Sequence, residues 1–386
     1  MTLRIAIFSE SFEPVLNGVT TSIQTLRDAL RDHGHEVLVF APGFRGYRDD
    51  DPEVFRFPSF RPPTARDYPL ALPWKRGLIS LVRELKPDII HTQTPFMLGW
   101  TGLRIGRRLG IPVVSTNHTQ YAEYTHYFPF APVSWSRAAV IAMLRRYYNA
   151  CDLVVTPSQA NKDILISYGV RPDIRVIPTA NSLDIPRTPG VREEVRREWG
   201  VPADAIVLLF VGRLAREKNM TLLLDGLSRL SAEHDDLRLV VVGGGPYEEH
   251  LAREIENRDL SDRVVMTGSV PREMVGRVYC GGDLFVFPST TDTQGLVLVE
   301  ALAAGLPCIA VNAGGSPEML RDGDDGFLCD NDAADFAAKV EALANSDDLR
   351  RTFSDRAIEN SRRFGSQEMV RLMLAAYDAA LSLRSL

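Results

Sequence analysis

The 386-residue chain is 45% hydrophobic and 24% charged, with a net charge of −6; this suits two globular domains and excludes a disordered chain. No apolar run reaches the ~18–20 residues that span a bilayer, which excludes an integral helical membrane protein. Cys151, Cys280, Cys308 and Cys329 stand far apart with no C-x-x-C pair, so neither a disulfide framework nor a structural zinc site is expected, and a reducing, cytosolic enzyme is.

The chain opens with a short apolar run, residues 3–8, predicted as a buried strand. Glu10 and Glu13 follow closely, and no cleavable signal pattern is present. The turn from Ser9 to Val19 carries Gly18 at the expected start of a helix over 19–32. Free amides and the positive end of that helix would favour an anion, although many ordinary turns also need one glycine. G-x-G-x-x-G is absent, so this is not a dinucleotide fingerprint and a dehydrogenase is disfavoured. Strands are then predicted at 36–40, 88–91, 112–115, 153–156 and 175–177, and helices at 76–85, 98–109, 135–149 and 159–168. Such alternation implies a parallel sheet covered on both faces.

Residues 1–185 hold 21 Lys/Arg against 17 Asp/Glu, whereas the remainder holds 23 against 33. Between Arg56 and Arg108 ten basic residues, among them Arg61, Arg66, Lys75, Arg76, Arg104, Arg107 and Arg108, face three acids. Such a patch is either a solvated face or an attraction to an anionic lipid surface. Nucleic acid is not expected, because the chain is acidic overall and carries no nucleic-acid motif. After the strand at 112–115 comes the cluster Asn117-His118-Thr119-Gln120-Tyr121, continuing through Tyr124, His126 and Tyr127. His118 stands where it would donate to a sugar hydroxyl or meet a leaving phosphate, or else is a hydrogen-bonded structural histidine.

Residues 184–202 hold Pro186, Pro189, Gly190, Gly200 and Pro202 and read as an interdomain linker. The pattern then restarts, with strands at 206–211, 237–242, 263–266, 284–287 and 307–311. Helices are predicted at 220–233, 248–257, 273–279, 296–304, 333–345 and 367–383. Two doubly wound domains result, each binding ligands at the carboxyl ends of its strands, facing a shared cleft. Gly212-Arg213 to Lys218-Asn219 follows the strongest of these strands. Gly212 permits a tight turn, and a guanidinium with an ammonium on one loop suits a diphosphate. Gly243-Gly244-Gly245-Pro246 closes another strand, as a nucleotide loop or a simple turn. The segment Pro288 to Ala301 is the most informative. Asp292 precedes a helix, Gly295 and Leu296 would offer free amides, and Glu300 lies on that helix among Leu, Val and Ala. Asp292 would accept from sugar hydroxyls, and Glu300 from a ribose diol, since burying an unpartnered carboxylate there is costly. Asp322-Gly323-Asp324 and Asp330-Asn331-Asp332 read as surface loops, not metal sites.

These residues in this order resemble the retaining glycosyltransferases of family 4, which have the GT-B fold, and the likeness covers nearly the whole chain. Its motifs are Gly212-Arg213-x4-Lys218, the Gly243–Pro246 run and Asp292-x7-Glu300; at the first acidic position the family usually has Glu. The resemblance implies domains at 1–185 (acceptor) and 186–366 (nucleotide sugar), with a helix at 367–386 packing back on the first. It implies that Arg213 and Lys218 hold the diphosphate, Glu300 the ribose, Asp292, Gly295 and Leu296 the sugar, and that His118 lies near the transferred sugar. No metal or other cofactor is implied, because cations and helix ends take the leaving charge. A narrower likeness, carried by His118–Tyr121, Tyr124, His126, Tyr127 and Thr291–Gly295, is to bacterial diacylglycerol α-glycosyltransferases. It implies a hexose donor, UDP-glucose or UDP-galactose favoured, a lipid acceptor and a peripheral contact with the inner face of the cell membrane. A GDP-mannose-dependent enzyme, a soluble sugar or polysaccharide acceptor and a non-catalytic sugar-nucleotide sensor stay open.

Overall fold

The computed structural model describes residues 2–15, 17–61, 69–72, 77–123, 133–230 and 234–384. The chain forms two compact units, Met1–Ala180 with Ser366–Leu386, and Asn181–Gly365. Tyr124, His126, Tyr127, Arg66, Lys75 and Arg76 lie outside the described residues.

The first unit contains β1 (Arg4–Phe8), α1 (Gly18–Asp32), β2 (Glu36–Pro42), β3 (Val54–Phe57), β4 (Ser59–Phe60), β5 (Leu70–Ala71), α2 (Leu78–Leu85), β6 (Ile89–Thr92), α3 (Met97–Leu109), β7 (Val113–Thr116), α4 (Val133–Tyr148), β8 (Leu153–Thr156), α5 (Gln159–Ser167) and β9 (Asp173–Val176). Its sheet runs β3-β2-β1-β6-β7-β8-β9, with every pairing parallel. Ile5, Ala6, Ile7 and Phe8 are fully buried because helices cover both faces. On α1, Ile23, Leu26, Ala29 and Leu30 recur at helical spacing and enter the same core as Ile7 and Val39. The short edge strand β3 and the β4-β5 pair escape sequence reading, because half-exposed runs of two to four residues carry almost no periodicity.

The second unit contains α6 (Val191–Glu198), β10 (Ile206–Val211), α7 (Met220–Leu230), β11 (Leu237–Val242), α8 (Glu248–Asn257), β12 (Val264–Gly268), α9 (Arg272–Tyr279), β13 (Leu284–Phe287), α10 (Leu296–Ala303), β14 (Cys308–Val311), α11 (Ser316–Met319), β15 (Gly326–Cys329), α12 (Ala333–Ala344) and α13 (Asp347–Ser361). Its sheet is β12-β11-β10-β13-β14-β15, again all parallel. The last helix, α14 (Ser366–Ser382), belongs to the first unit. It buries Met369, Val370, Met373, Ala376 and Tyr377 in the core that holds Ile23 and Leu26.

One expectation is corrected. The stretch read as a linker contains α6, whose charged sequence hides a buried stripe: Val195 and Arg196 are 2% and 4% exposed. The Arg196 guanidinium donates to the carbonyls of Ala203, Ala205 and Gly281 and pairs with Asp283. A fully partnered arginine thus does what a leucine would do at an apolar position.

In each sheet consecutive strands run outward in both directions from one central pair, β1/β6 in the first unit and β10/β13 in the second. In open α/β sheets the crevice outside the carboxyl ends of such a pair is where ligands bind. The loops after β10 and β13 are the two that carry Arg213, Lys218 and Asp292.

Candidate active site

The loop after β10 turns sharply because Gly212 and Gly243, at the ends of neighbouring strands, nearly touch. A Cβ on Gly243, at φ 138°, would stand 1.9 Å from the Gly212 carbonyl oxygen. The chain then makes a short turn at Arg216–Lys218. Asn219 Nδ2 donates to the Pro288 carbonyl at 3.1 Å, joining this loop to the end of β13. Lys218 Nζ consequently meets both carboxylate oxygens of Asp292, at 2.9 and 2.7 Å. Both side chains are mostly covered, and the ammonium also lies 5.7 Å from the centroid of the Phe287 ring. Arg213 is more exposed and lies 3.9 Å from Glu217.

The Asp292 loop is held from behind by the turn after β14. Gly315 N donates to the Asp292 carbonyl at 2.9 Å, and a Cβ on Gly315 would fall 2.2 Å from the Thr293 carbonyl oxygen. Gly295, in the left-handed conformation at φ 76°, then starts α10. The first amides of a helix have no carbonyl one turn back, so the Gly295–Leu296 end offers donors. Thr291 Oγ1 and Ser316 Oγ are buried beside these turns with no partner among the described residues. Glu300 sits one turn further along α10, 5% exposed, accepting from the Tyr279 hydroxyl at 2.7 Å. Burial pushes its carboxyl up to about 7, against the opposing effects of that hydrogen bond and of Arg272.

The first unit presents its own polar edge. Glu10, after β1, is buried and accepts from Thr94 Oγ1 and from Leu98 N, which caps α3. Desolvation raises its carboxyl to about 7. Gln93, after β6, is 1% exposed, and its Oε1 lies 2.7 Å from His118 Nε2. Burial lowers the His118 imidazole to about 4. The neighbouring Asn117 is fixed by Tyr148 at 2.8 Å and Asn161 at 2.7 Å. Gly18 is the first residue of α1, capped by Asn17 Oδ1, which accepts from Thr20 N at 2.9 Å.

Two family descriptions match the chain, Glycosyltransferase Family 4 over residues 16–184 and Glycosyl transferases group 1 over residues 191–360. An alpha-monoglucosyldiacylglycerol synthase of Streptococcus pneumoniae is 32% identical across 95% of this chain and 84% of its own length. The chain belongs to glycosyltransferase family 4. A GDP-mannose-dependent alpha-mannosyltransferase of Mycobacterium tuberculosis is 34% identical over 84% of this glycosyltransferase and 83% of itself. Among solved structures, Anabaena Alr3699/HepE in complex with UDP-glucose covers both chains fully, with a TM-score of 0.76 and 21% identity. The fold is therefore GT-B, with two Rossmann-like domains, and the enzyme is a hexosyltransferase.

Within the second unit of this glycosyltransferase the structure brings Lys218 and Asp292 into direct contact and puts Arg213 on the same loop as Lys218. Glu300, Gly295 and Leu296 share α10 and its cap. Gly212 and Gly244 belong to adjacent strand-end turns, the amide of Leu214 donating to the Gly244 carbonyl at 2.9 Å. His118 and Gly18 are in the first unit. Sequence reading missed Tyr279, Gly315, Gln93 and Glu10. The signals were present: Gly314-Gly315 follows β14, the strand beside β13, and Glu10 and Gln93 follow the two central strands of their sheet. Tyr279 carried none, since it ends an ordinary amphipathic helix. All four cysteines are unpaired; the Asp332 carboxylate accepts from the amides of Ala334 and Asp335, and that of Asp322 from the amide of Leu328.

Proposed function

We propose that this enzyme moves a hexose, with retention of the α configuration, from a UDP-sugar to a lipid hydroxyl such as that of diacylglycerol. The observation that carries the donor half is the Lys218–Asp292 pair at the ends of β10 and β13, with Glu300 buried on the helix that follows. Lys218 and Arg213 take the diphosphate, the ammonium leaving the Asp292 carboxylate for a phosphate oxygen. Asp292, so released, accepts from hydroxyls of the sugar, and the Gly295–Leu296 amides donate to it. Glu300 accepts from the ribose diol, while Gly212 and Gly244 keep the strand ends free of side chains so that the nucleotide can approach the backbone. As the glycosidic bond to the nucleotide breaks, the departing negative charge meets these two cations and the helix end. The acceptor hydroxyl attacks on the same face, giving its proton to the leaving phosphate. His118, held by Gln93 and neutral at pH 7, contacts the transferred sugar, and the capped α1 start at Gly18 borders the acceptor.

The lipid acceptor and a peripheral contact with an anionic membrane are supported by the diacylglycerol-modifying relative and by the basic first half of the chain. Among the described residues no helix is long and apolar enough to cross a membrane. The test is a matrix of donors (UDP-glucose, UDP-galactose, GDP-mannose) against acceptors (dispersed diacylglycerol, soluble sugars). Glycolipid formed from a UDP-hexose supports the reading, and transfer only from GDP-mannose or only to soluble sugars replaces it. Lys218→Ala should lower kcat by two to three orders of magnitude, roughly 3–4 kcal/mol of transition-state stabilisation, with an unchanged thermal midpoint.

A further inference from the structure

Between Ile89 and Ala150 the chain carries six arginines and a single carboxylate, Glu123. That carboxylate is spent on Arg137, at 3.2 Å. The other five, Arg104, Arg107 and Arg108 on α3 and Arg145 and Arg146 on α4, are exposed, and among the described residues none has a carboxylate within ion-pair distance. Arg56, in contrast, is paired with Asp49 at 2.5 Å. Five arginines without a carboxylate partner among the described residues therefore cluster on these two helices, partly beyond the 56–108 window that composition singles out.

The same two helices enclose a groove of about 640 Å³. Its walls are Trp100, Leu103, Ala142 and Met143, and its rim is Arg104, Arg107 and Arg146. An apolar floor beneath a guanidinium rim is amphipathic in the way a membrane interface is, and the volume takes a lipid headgroup with its glycerol rather than a bare ion. On α4, Trp135 precedes Ala142 by seven residues and Arg146 by eleven, so all three lie on one stripe. Trp135 is 76% exposed, and Met97, at the start of α3, is 37% exposed. A soluble helix gains nothing by holding an indole in water, whereas a bilayer surface receives indoles at headgroup depth. The α3 end of the groove adjoins the strand-end edge described above: Glu10 caps Leu98 N, and Tyr121, three residues after His118, packs its ring edge-on to Phe96 with centroids 5.1 Å apart.

We infer that the α3–α4 groove, with Arg104, Arg107 and Arg146 on its rim and Trp135 beside it, docks the enzyme on the headgroups of an anionic bilayer. The five arginines draw the phosphates, Trp135 and Met97 enter the interface, and the bilayer is held next to the strand-end edge of the first unit. The docking deepens the lipid-acceptor reading, but its physics needs no turnover.

The test sediments the full chain with vesicles of phosphatidylcholine alone or mixed with phosphatidylglycerol, at low and high salt. The wild type should bind the anionic vesicles and be released by salt. Arg104→Gln/Arg107→Gln/Arg146→Gln should lose on the order of a hundredfold in partitioning. Trp135→Ser should lose several-fold, by an amount that salt does not change. The matching triple lysine variant should keep most of the binding, which separates charge from misfolding. Hydrolysis of the nucleotide sugar in detergent should be the same in all of these proteins. Equal binding to both vesicles, binding by the glutamine variant at the wild-type level, or displacement from vesicles by stoichiometric single-stranded DNA would each overturn the proposal. Vesicle binding without transfer to lipid would refute the acceptor assignment and leave the docking surface standing; transfer indifferent to vesicle charge would do the reverse.

Discussion

Glu300 and Tyr279 illustrate how a buried carboxylate is tuned by one hydroxyl. With its carboxyl raised to about 7, Glu300 is partly protonated near neutrality, and only the ionised form offers both oxygens to a diol. The donor KM should therefore fall as pH rises from about 6 to about 8, with a smaller change in kcat. The Tyr279 hydrogen bond favours the ionised form. Tyr279→Phe should shift that KM profile to higher pH while kcat at saturating donor is kept, measured by initial rates across the pH range. A merely structural tyrosine would lower the thermal midpoint and leave the profile in place. Residue types near strand ends made Lys218, Asp292 and Glu300 legible in the sequence. Tyr279 was not legible, because its ring packs as any core aromatic does and its bond to Glu300 rests on where one hydroxyl ends.

At the scale of elements, the strand-end turns decide the site. Gly212 and Gly243 permit two strands to end within backbone contact, which sets the start of the Arg213–Lys218 loop. Gly243→Ala would force a methyl to 1.9 Å from a carbonyl oxygen, and should cost about 2–4 kcal/mol. The measurement is the chemical-denaturation midpoint, and Gly18→Ala is the control, since no atom lies within 4 Å of a Cβ there. The principal strands and most helices could be read from apolar runs and their spacing, because buried parallel strands are short blocks of Ile, Val, Leu and Phe. What escaped did so for physical reasons. α6 buries an arginine in place of an aliphatic residue, and α13 buries chiefly Phe353, Ala357 and Asn360 in a highly charged sequence. β3 and β15 are edge strands with little burial to mark them.

For the whole molecule, α14 matters most. His91, inside the first sheet, lies 2.7 Å from Thr116 Oγ1 and 2.8 Å from the Tyr377 hydroxyl of that helix. Burial lowers its imidazole to about 3, and the nearby His118 adds to the effect. The unfolded imidazole titrates near ~6.5, so the stability tied to neutral His91 is complete above that pH and is lost as pH falls through ~6.5 toward the folded value. Glu10 and Glu300, both raised, act oppositely and lose stability as pH rises from ~4.5 to about 7. The His91 share is therefore read as a difference. His91→Asn should unfold at lower temperature than the wild type at pH 7, with a gap that narrows toward pH 5, followed by calorimetry.

The polypeptide passes from one unit to the other twice, at Ala180–Asn181 and at Gly365–Ser366. The second unit is thus one uninterrupted stretch, while the first is assembled from the two segments that flank it. During synthesis, Asn181–Gly365 is complete before α14 has been translated. The side of the first sheet that awaits Met369, Val370 and Tyr377 stays uncovered until α14 has been made. The nascent protein therefore completes its second unit before its first, and the unit that carries the arginine-rimmed groove becomes whole only once α14 has followed.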